Sequence, residues 1–368
     1  MSRRRGPILF VIGSARPGGA EGQMIRLACE LRRRSVDVRM LFLVHGGVLT
    51  TLLDEADVPW AVMRRDDWPP SSTGRNIFGL LRLAWTIRRA RPSVVCAWLA
   101  GAVWPSLLAA HLLTRARRVA GFRGEVFDRD LRWQGPLFRL AVRHAHVVTV
   151  NAPALREEAL RWSARGDRIV MIPNGVDLPD ALADASTEPA TAVVVANFRS
   201  YKGYDVLANA LTMSPRSETA ATFRLCGEGQ EREATAQILR EEIALGRVAL
   251  VPEPADVSAE LHAAQFAVHP SRTEGMSNAI LEELAHGLPV VATDVGATAL
   301  LVRDGISGVL VPPGDAEALR RGINRLERDP ELRARLARGA RAVAEEFSWE
   351  SCTTNYLAAM TEREQSSV

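Results

Sequence analysis

Two glutamates, Glu274 and Glu282, stand eight positions apart in the stretch His269–Thr293, HPSRTEGMSNAILEELAHGLPVVAT. An ionised carboxylate accepts two hydrogen bonds, which suits the hydroxyls of a sugar and repels a phosphate. Between the two acids, Ser271–Ser277 is small and polar, and Ser277 and Asn278 are good N-cap types. Ala279–Ala285 carries Ile280, Leu281 and Leu284 at helical spacing, Gly287 closes that helix, and Pro289 blocks its continuation. His269 reads as a strand end. A helix that opens just past a strand points its first N–H groups and its positive dipole end out of the carboxyl edge of a sheet, where an anion binds. Anion donors beside hydroxyl acceptors predict a ligand that is part phosphate and part sugar. Taken alone, two glutamates at this spacing also describe a solvated helix face.

The elements that must position this stretch read as α/β. Pro7–Gly13 is an apolar strand, Ser14–Gly19 a glycine-rich turn, Glu21–Arg33 an amphipathic helix and Val38–Val44 a second strand, a βαβ opening that predicts a doubly wound parallel sheet. Gly13–Gly18 lacks the lysine and hydroxyl of a P-loop and the GxGxxG spacing of a dinucleotide site. Helices over Ile77–Ala90 and Pro105–Leu113 alternate with strands Val94–Ala97, Arg118–Phe122, Val147–Val150 and Ile169–Ile172. Asp66–Arg75 reads as a loop, and Asn151 starts a further helix. A polar linker, Leu178–Ala190, precedes a restart of the strand pattern at Ala192–Ala196, followed by strands Phe223–Cys226, Val248–Val251, Phe266–His269 and Pro289–Ala292.

With 368 residues, 47% apolar and 24% charged, the chain has the size for two ordinary domains with large cores. Its four cysteines show no paired spacing, which predicts reduced thiols. Residues 1–150 hold 24 Lys and Arg against 11 Asp and Glu, net +13; the remainder holds 22 against 32, net −10. That asymmetry is either a solvated arginine-rich surface or a first half that meets an acidic partner. Of the 46 basic residues, 45 are arginine, so Lys202 is the only lysine. With 6% aromatic residues, the chain lacks the stacking groups of a nucleic-acid binder. The apolar run Ile8–Ile12 is too short for a signal sequence, so a cytoplasmic location is expected. The uncharged run Ser93–Thr114 is long enough to span a bilayer, but it reads better as a buried strand and a helix opened by Pro105.

Glu274-Gly-Met-Ser-Asn-Ala-Ile-Leu-Glu282, with Ala285–Gly296 after it, resembles the EGxxxxxxE signature of the family-4 retaining glycosyltransferases of GT-B fold. The likeness covers nearly the whole chain and is strongest over Ile172–Gly314, where Pro173–Asp177 resembles the IPNGVD hinge and Val309–Gly314 the GLLVPPGD segment. It implies two Rossmann-like domains facing a cleft: residues 1–173, joined by 349–368 crossing back after Phe347-Ser-Trp349, and residues 176–348. It also implies no cofactor and no metal, with a nucleotide-diphosphate sugar as co-substrate. Asp128-Arg-Asp130, which looks like the metal-binding DxD of the other glycosyltransferase fold, reads as an exposed loop.

The resemblance assigns roles residue by residue. Asn197–Gly203 corresponds to a basic loop that grips the donor diphosphate, through Lys202 and, displaced from the family's usual arginine position, Arg199. Backbone groups of Gly275, Met276, Ser277 and Asn278 would meet the same diphosphate, Glu282 the ribose and Glu274 the transferred sugar. Gly18 and Gly19, in the turn Gly18-Gly-Ala-Glu21, would lie near the diphosphate and acceptor, Gly227 near the nucleotide, and Pro252-Glu-Pro254 at the base. His45 belongs to the acceptor side. Where many members carry a sugar-contacting histidine, this chain has Gly121-Phe-Arg-Gly124, and Arg123 is the candidate substitute. The acceptor would be a glycan, lipid-linked or small molecule, and the basic first half predicts peripheral contact with an anionic membrane at its inner face. Two alternatives stay open: a nucleotide-sugar epimerase of related architecture, and a catalytically silent nucleotide-binding protein of the same fold.

Overall fold

The computed structural model describes residues 6–63, 77–124, 134–213, 221–252 and 256–361. The loop expected over Asp66–Arg75, the Asp128–Asp130 segment and most of Pro252–Pro254 lie outside those residues. The chain forms two units, Met1–Gly175 with Trp349–Val368, and Val176–Ser348.

In the first unit, β1 (Ile8–Ser14), β2 (Val38–His45), β3 (Trp60–Val62), β4 (Val94–Trp98), β5 (Arg117–Phe122), β6 (Val147–Val150) and β7 (Ile169–Met171) form one parallel sheet in the order β3-β2-β1-β4-β5-β6-β7. The second holds β8 (Thr191–Val195), β9 (Thr222–Cys226), β10 (Val248–Val251), β11 (Phe266–His269), β12 (Val290–Thr293) and β13 (Gly308–Val311), also parallel, in the order β10-β9-β8-β11-β12-β13. Strands covered by helices on both faces read as continuous apolar runs, as in Ile8–Ile12 and Val290–Ala292, all buried. Each sheet reverses its winding once, between β1 and β4 and between β8 and β11. Loops leaving the carboxyl ends of those neighbouring strands diverge to opposite faces, and the crevice between them is where open α/β sheets bind ligands.

The helix Trp349–Thr361 belongs to the first unit's core. Its Trp349, Cys352, Tyr356 and Met360 pack with Phe10, Ile12, Phe42 and Trp98, and a Cβ on Gly175 would lie 2.5 Å from the Trp349 ring. All four cysteines are buried and unbonded, and burial pushes the Cys96 and Cys352 thiols up to about 12.

Three readings of the sequence shift. The helix expected to open at Pro105 begins at Ala100, after Leu99 with φ 66°, and carries Pro105 inside it; the proline costs it one intrahelical donor without ending it. Gly19 is the first residue of the helix Gly19–Arg33, with Gly18 as its extended N-cap, so the glycine turn is shorter than expected. The short strand β3, which carries only three residues, had no alternation long enough to detect. Ser93–Thr114 holds β4 and a 14-residue helix, and among the described residues no helix is long and apolar enough to cross a membrane.

Candidate active site

The second unit's switch point gathers Arg199, Lys202, Glu274 and Gly275–Ser277 on two loops, one leaving β8 and one leaving β11. The helix Asn278–Ala285 starts with Ser277 as N-cap, its hydroxyl accepting from the Ile280 N–H at 3.4 Å. At its other end Gly287 takes φ 77°, its N–H donating to the Leu284 carbonyl at 3.0 Å while the Leu288 N–H donates to the Glu283 carbonyl at 2.9 Å. That pair of bonds is a Schellman closure, which fixes the helix length and holds its N-terminus at the carboxyl edge of β11. Met276 and Ser277 are buried; Gly275, Glu274 and Glu282 are half-buried.

Lys202 Nζ lies 2.5 Å from Glu274 Oε1, with the side chains 15% and 11% exposed. Ser271 Oγ donates to the same carboxylate oxygen at 2.8 Å. Beside that pair, the Arg272 guanidinium grips Asp205 through two bonds of 2.7 and 2.5 Å and donates to the Ser200 carbonyl at 3.0 Å, and the Arg272 N–H donates to the Tyr201 carbonyl at 2.7 Å. The Arg272 guanidinium beside Asp205 holds its carboxyl below the usual carboxylate range. The two loops are thus fastened together over residues 200–205 and 271–274.

Glycines make the close approach of these loops possible. Gly203 (φ 69°) and Gly296 (φ 59°) sit in left-handed backbone, and a Cβ on either would run into the carbonyl of Pro270 or of Glu274. The Ala297 N–H donates to the Gly275 carbonyl at 2.9 Å, so the loop after β12 braces the glutamate loop from its far side. Gly227 packs against the Ala196 carbonyl, and the Phe198 N–H donates to Glu228 O at 2.9 Å, joining the loop after β9 to the basic loop. Arg199 is exposed and lines a groove of about 540 Å³ with Tyr201, Tyr204, Glu231, Ile238 and Arg272, a wall that includes neither Lys202 nor Glu274.

Behind the paired loops lies a contact the sequence reading missed. His269 Nε2 is 2.8 Å from both carboxylate oxygens of Glu283, and both side chains are buried. Burial raises the Glu283 carboxyl, and the His269 ring opposes that rise. Adjacent helical residues face directions about 100° apart, and Glu282 and Glu283 both stand off the apolar stripe of Ile280, Leu281 and Leu284, so periodicity alone gives no signal that Glu283 turns inward. The tether from Arg272 to Asp205 left no mark either, because it joins loops far apart in sequence, and the bond from Ser271 to Glu274 is internal to one loop.

In the first unit, Ser14 and His45 are register partners at the carboxyl ends of β1 and β2. The Leu49 N–H donates to the Ala15 carbonyl at 3.2 Å, and a Cβ on Gly47 would collide with that carbonyl, so the loops carrying Gly18 and His45 meet at this edge. His45 is half-buried, with Nδ1 out of water and without a hydrogen-bond partner in the described structure. Burial raises the Glu21 carboxyl next to Gly18. Gln23 ties that helix to Gly175 by bonds of 2.8 and 3.0 Å to its carbonyl and N–H. Arg123 is turned inward: its guanidinium carbon lies 4.1 Å from the centroid of the Trp98 ring, and its nitrogens donate to the Ile172 carbonyl at 3.3 Å and to Thr149 Oγ1 at 3.4 Å. Burial lowers Arg123 to about 10.

Two doubly wound parallel units, the second with a cation, carboxylates and a helix N-terminus at its switch point, are the GT-B arrangement. Residues 17–179 match the family model described as Glycosyltransferase Family 4, and residues 189–329 the model described as Glycosyl transferases group 1. The chain belongs to the family-4 glycosyltransferases. It is 31% identical over 284 residues to the D-inositol 3-phosphate glycosyltransferase of Saccharomonospora viridis, over 71% of this chain, and spans 65% of that protein's length. It is 28% identical over 349 residues to the lipopolysaccharide core biosynthesis glycosyltransferase LpsE of Rhizobium meliloti, covering 92% of this chain and 95% of that protein. Among solved structures, Anabaena Alr3699/HepE in complex with UDP and glucose superposes with a TM-score of 0.82 at 22% identity, over 98% of this chain and 100% of that one.

Proposed function

We propose that the protein moves a sugar from a nucleotide-diphosphate sugar to a glycan, lipid-linked or small-molecule acceptor, with retention of anomeric configuration, in cell-surface glycan or polysaccharide synthesis. The observation that carries this reading is the Lys202–Glu274 pair at the switch point, beside the N-terminus of the helix Asn278–Ala285. A donor's diphosphate offers Lys202 more negative charge than Glu274 does, and the sugar's hydroxyls offer Glu274 donors in exchange. Binding would therefore replace one ion pair with two sets of charge-assisted hydrogen bonds. Backbone N–H groups at Gly275–Asn278 add a fixed partial positive charge where the leaving diphosphate gains negative charge, and Glu282 accepts from the ribose. Arg199, at the mouth of the neighbouring groove, is a second cation for the diphosphate.

In the step proposed, the bond from the anomeric carbon to the diphosphate oxygen breaks. The acceptor oxygen bonds to the same face of that carbon, and its proton passes to a departing diphosphate oxygen. Protein cations neutralise the leaving group, so no metal ion and no cofactor is required. His45, with its unpartnered ring nitrogen, and the Gly18–Gly19 edge belong to the acceptor side. The relatives named above, one acting on an inositol phosphate and one in lipopolysaccharide core synthesis, support an anionic or lipid-linked acceptor. Such an acceptor supports a cytoplasmic enzyme working at the inner face of the membrane.

The test is turnover of nucleotide-diphosphate sugars with and without candidate acceptors, the product's anomeric configuration being read by proton NMR. Acceptor-dependent release of the diphosphate with retained configuration supports the reading. Inversion refutes the retention, and conversion of the donor sugar without an acceptor favours the epimerase. UDP-glucose is the first donor to try, because the Anabaena structure holds UDP and glucose.

A further inference from the structure

The solvent face of the helix Ile77–Ala90 is the wrong way round for a globular surface. Its inward residues Gly79, Leu83 and Ile87 are buried, as they should be. Its outward face nevertheless carries Phe78, Leu81 and Trp85, exposed by 76%, 60% and 58%, at the i, i+3, i+7 spacing of one stripe. Leu112, 76% exposed, and Leu113 extend the apolar surface from the end of the neighbouring helix Ala100–Leu113. Single exposed apolar residues are ordinary; a contiguous stripe of them marks a contact surface.

Among the described residues of this helix the charge is of one sign. Arg82, Arg88 and Arg89 flank the stripe, all exposed, and the Arg89 guanidinium lies 5.2 Å from the centroid of the Trp85 ring. Arg88, Arg91 and Arg115 line a groove of about 810 Å³ with Trp85 and Leu113. Residues 77–116, which hold this helix and its neighbour, contain five arginines and no aspartate or glutamate.

We propose that this face seats the protein on an anionic lipid surface. Phe78, Leu81, Trp85 and Leu112 enter the interface between headgroups and acyl chains, and the arginines around them reach the lipid phosphates. Aromatic and leucine side chains on one side of a helix, edged by long cationic ones whose stems are themselves apolar, match that boundary in both polarity and charge. A protein partner would have to match the stripe with an apolar groove edged by acids, whereas an anionic lipid surface supplies both at once. The surface goes beyond the transferase reading and uses none of the donor-site residues.

The experiment is co-sedimentation of the full chain with vesicles of phosphatidylcholine alone and of phosphatidylcholine with phosphatidylglycerol, at low and high salt. Binding to the anionic vesicles that weakens with salt is expected. Arg88→Glu/Arg89→Glu should reduce it at least roughly tenfold, and Leu81→Ser/Trp85→Ser should reduce it without changing the salt slope. Arg325→Glu/Arg328→Glu, in the second unit, should bind as the unaltered chain does. All these positions are on the surface, so melting temperature and nucleoside-diphosphate binding stay at wild-type values, and those two readings separate this proposal from the transferase proposal. Equal binding to neutral vesicles, unchanged binding by both first-unit variants, or a dimer abolished by Leu81→Ser/Trp85→Ser in a chain that ignores vesicles would overturn it.

Discussion

Lys202 Nζ lies 2.5 Å from Glu274 Oε1, so without a ligand the residue assigned to the diphosphate and the residue assigned to the sugar neutralise each other. Removing one partner strands the other in a mostly buried place. Lys202→Ala should cost about 2 kcal/mol of stability, a fall of roughly 4–8 °C in the melting temperature of a unit this size. Lys202→Met combined with Glu274→Gln should recover most of that loss while transfer stays abolished. A double variant as unstable as the single one would show that the pair does not couple.

Gly203 and Gly296 support the same geometry from the backbone. With positive φ and a carbonyl where a Cβ would stand, Gly203→Ala and Gly296→Ala should each lower stability by about 1–3 kcal/mol and weaken donor affinity more than Gly246→Ala. Gly246 also has positive φ, but open space lies around it. Chemical denaturation paired with donor titration checks the contrast; equal affinities in all three would show that loop apposition is irrelevant to binding.

Acid should loosen the loops before it unfolds the unit. The Asp205 carboxyl is held below its usual value by Arg272, so the tie is fully present above the unfolded carboxylate range and is lost as pH falls through the folded value, below about 4. The pair is half exposed, so its share of global stability is under about 1 kcal/mol. The expected signal is hydrogen exchange at Tyr201–Asp205 and Arg272–Glu274 that rises in acid, and is already raised in Asp205→Asn at neutral pH.

Glu283 behaves with the opposite sign. Its carboxyl is raised by burial, so the folded state holds that proton more tightly than the unfolded one. The associated stability is present at low pH and drains away as pH rises through the folded value. Glu283→Gln keeps an acceptor for His269 Nε2 and removes the ionisation. Its melting temperature, relative to wild type, should therefore climb as pH is raised above about 4.5; a flat difference would mean that Glu283 does not titrate in the fold.

The parallel strands were legible because burial on both faces writes them as unbroken apolar runs, and the helix Asn278–Ala285 because cap, periodicity and closing glycine agree. Glu274 and Lys202 could be named from the string around them, but their mutual contact could not. It spans 72 positions and depends on β8 and β11 being neighbours, which is a property of sheet order. Pro105 is a poor guide to the helix start because one missing donor does not end a helix that begins at Ala100. Arg123 was readable as a charge at a strand end; its fold over Trp98 depends on Tyr356 and Cys352, more than 200 residues away, closing that side of the unit.

The donor site itself is tested most directly by calorimetric titration of the protein with UDP, GDP, ADP, CMP and dTDP, repeated on Lys202→Ala and Glu282→Ala. Micromolar binding of one diphosphate to the unaltered chain, lost in both variants, is expected. Binding that survives both substitutions, or no binding of any of the five, would contradict a donor site at the β8–β11 switch point.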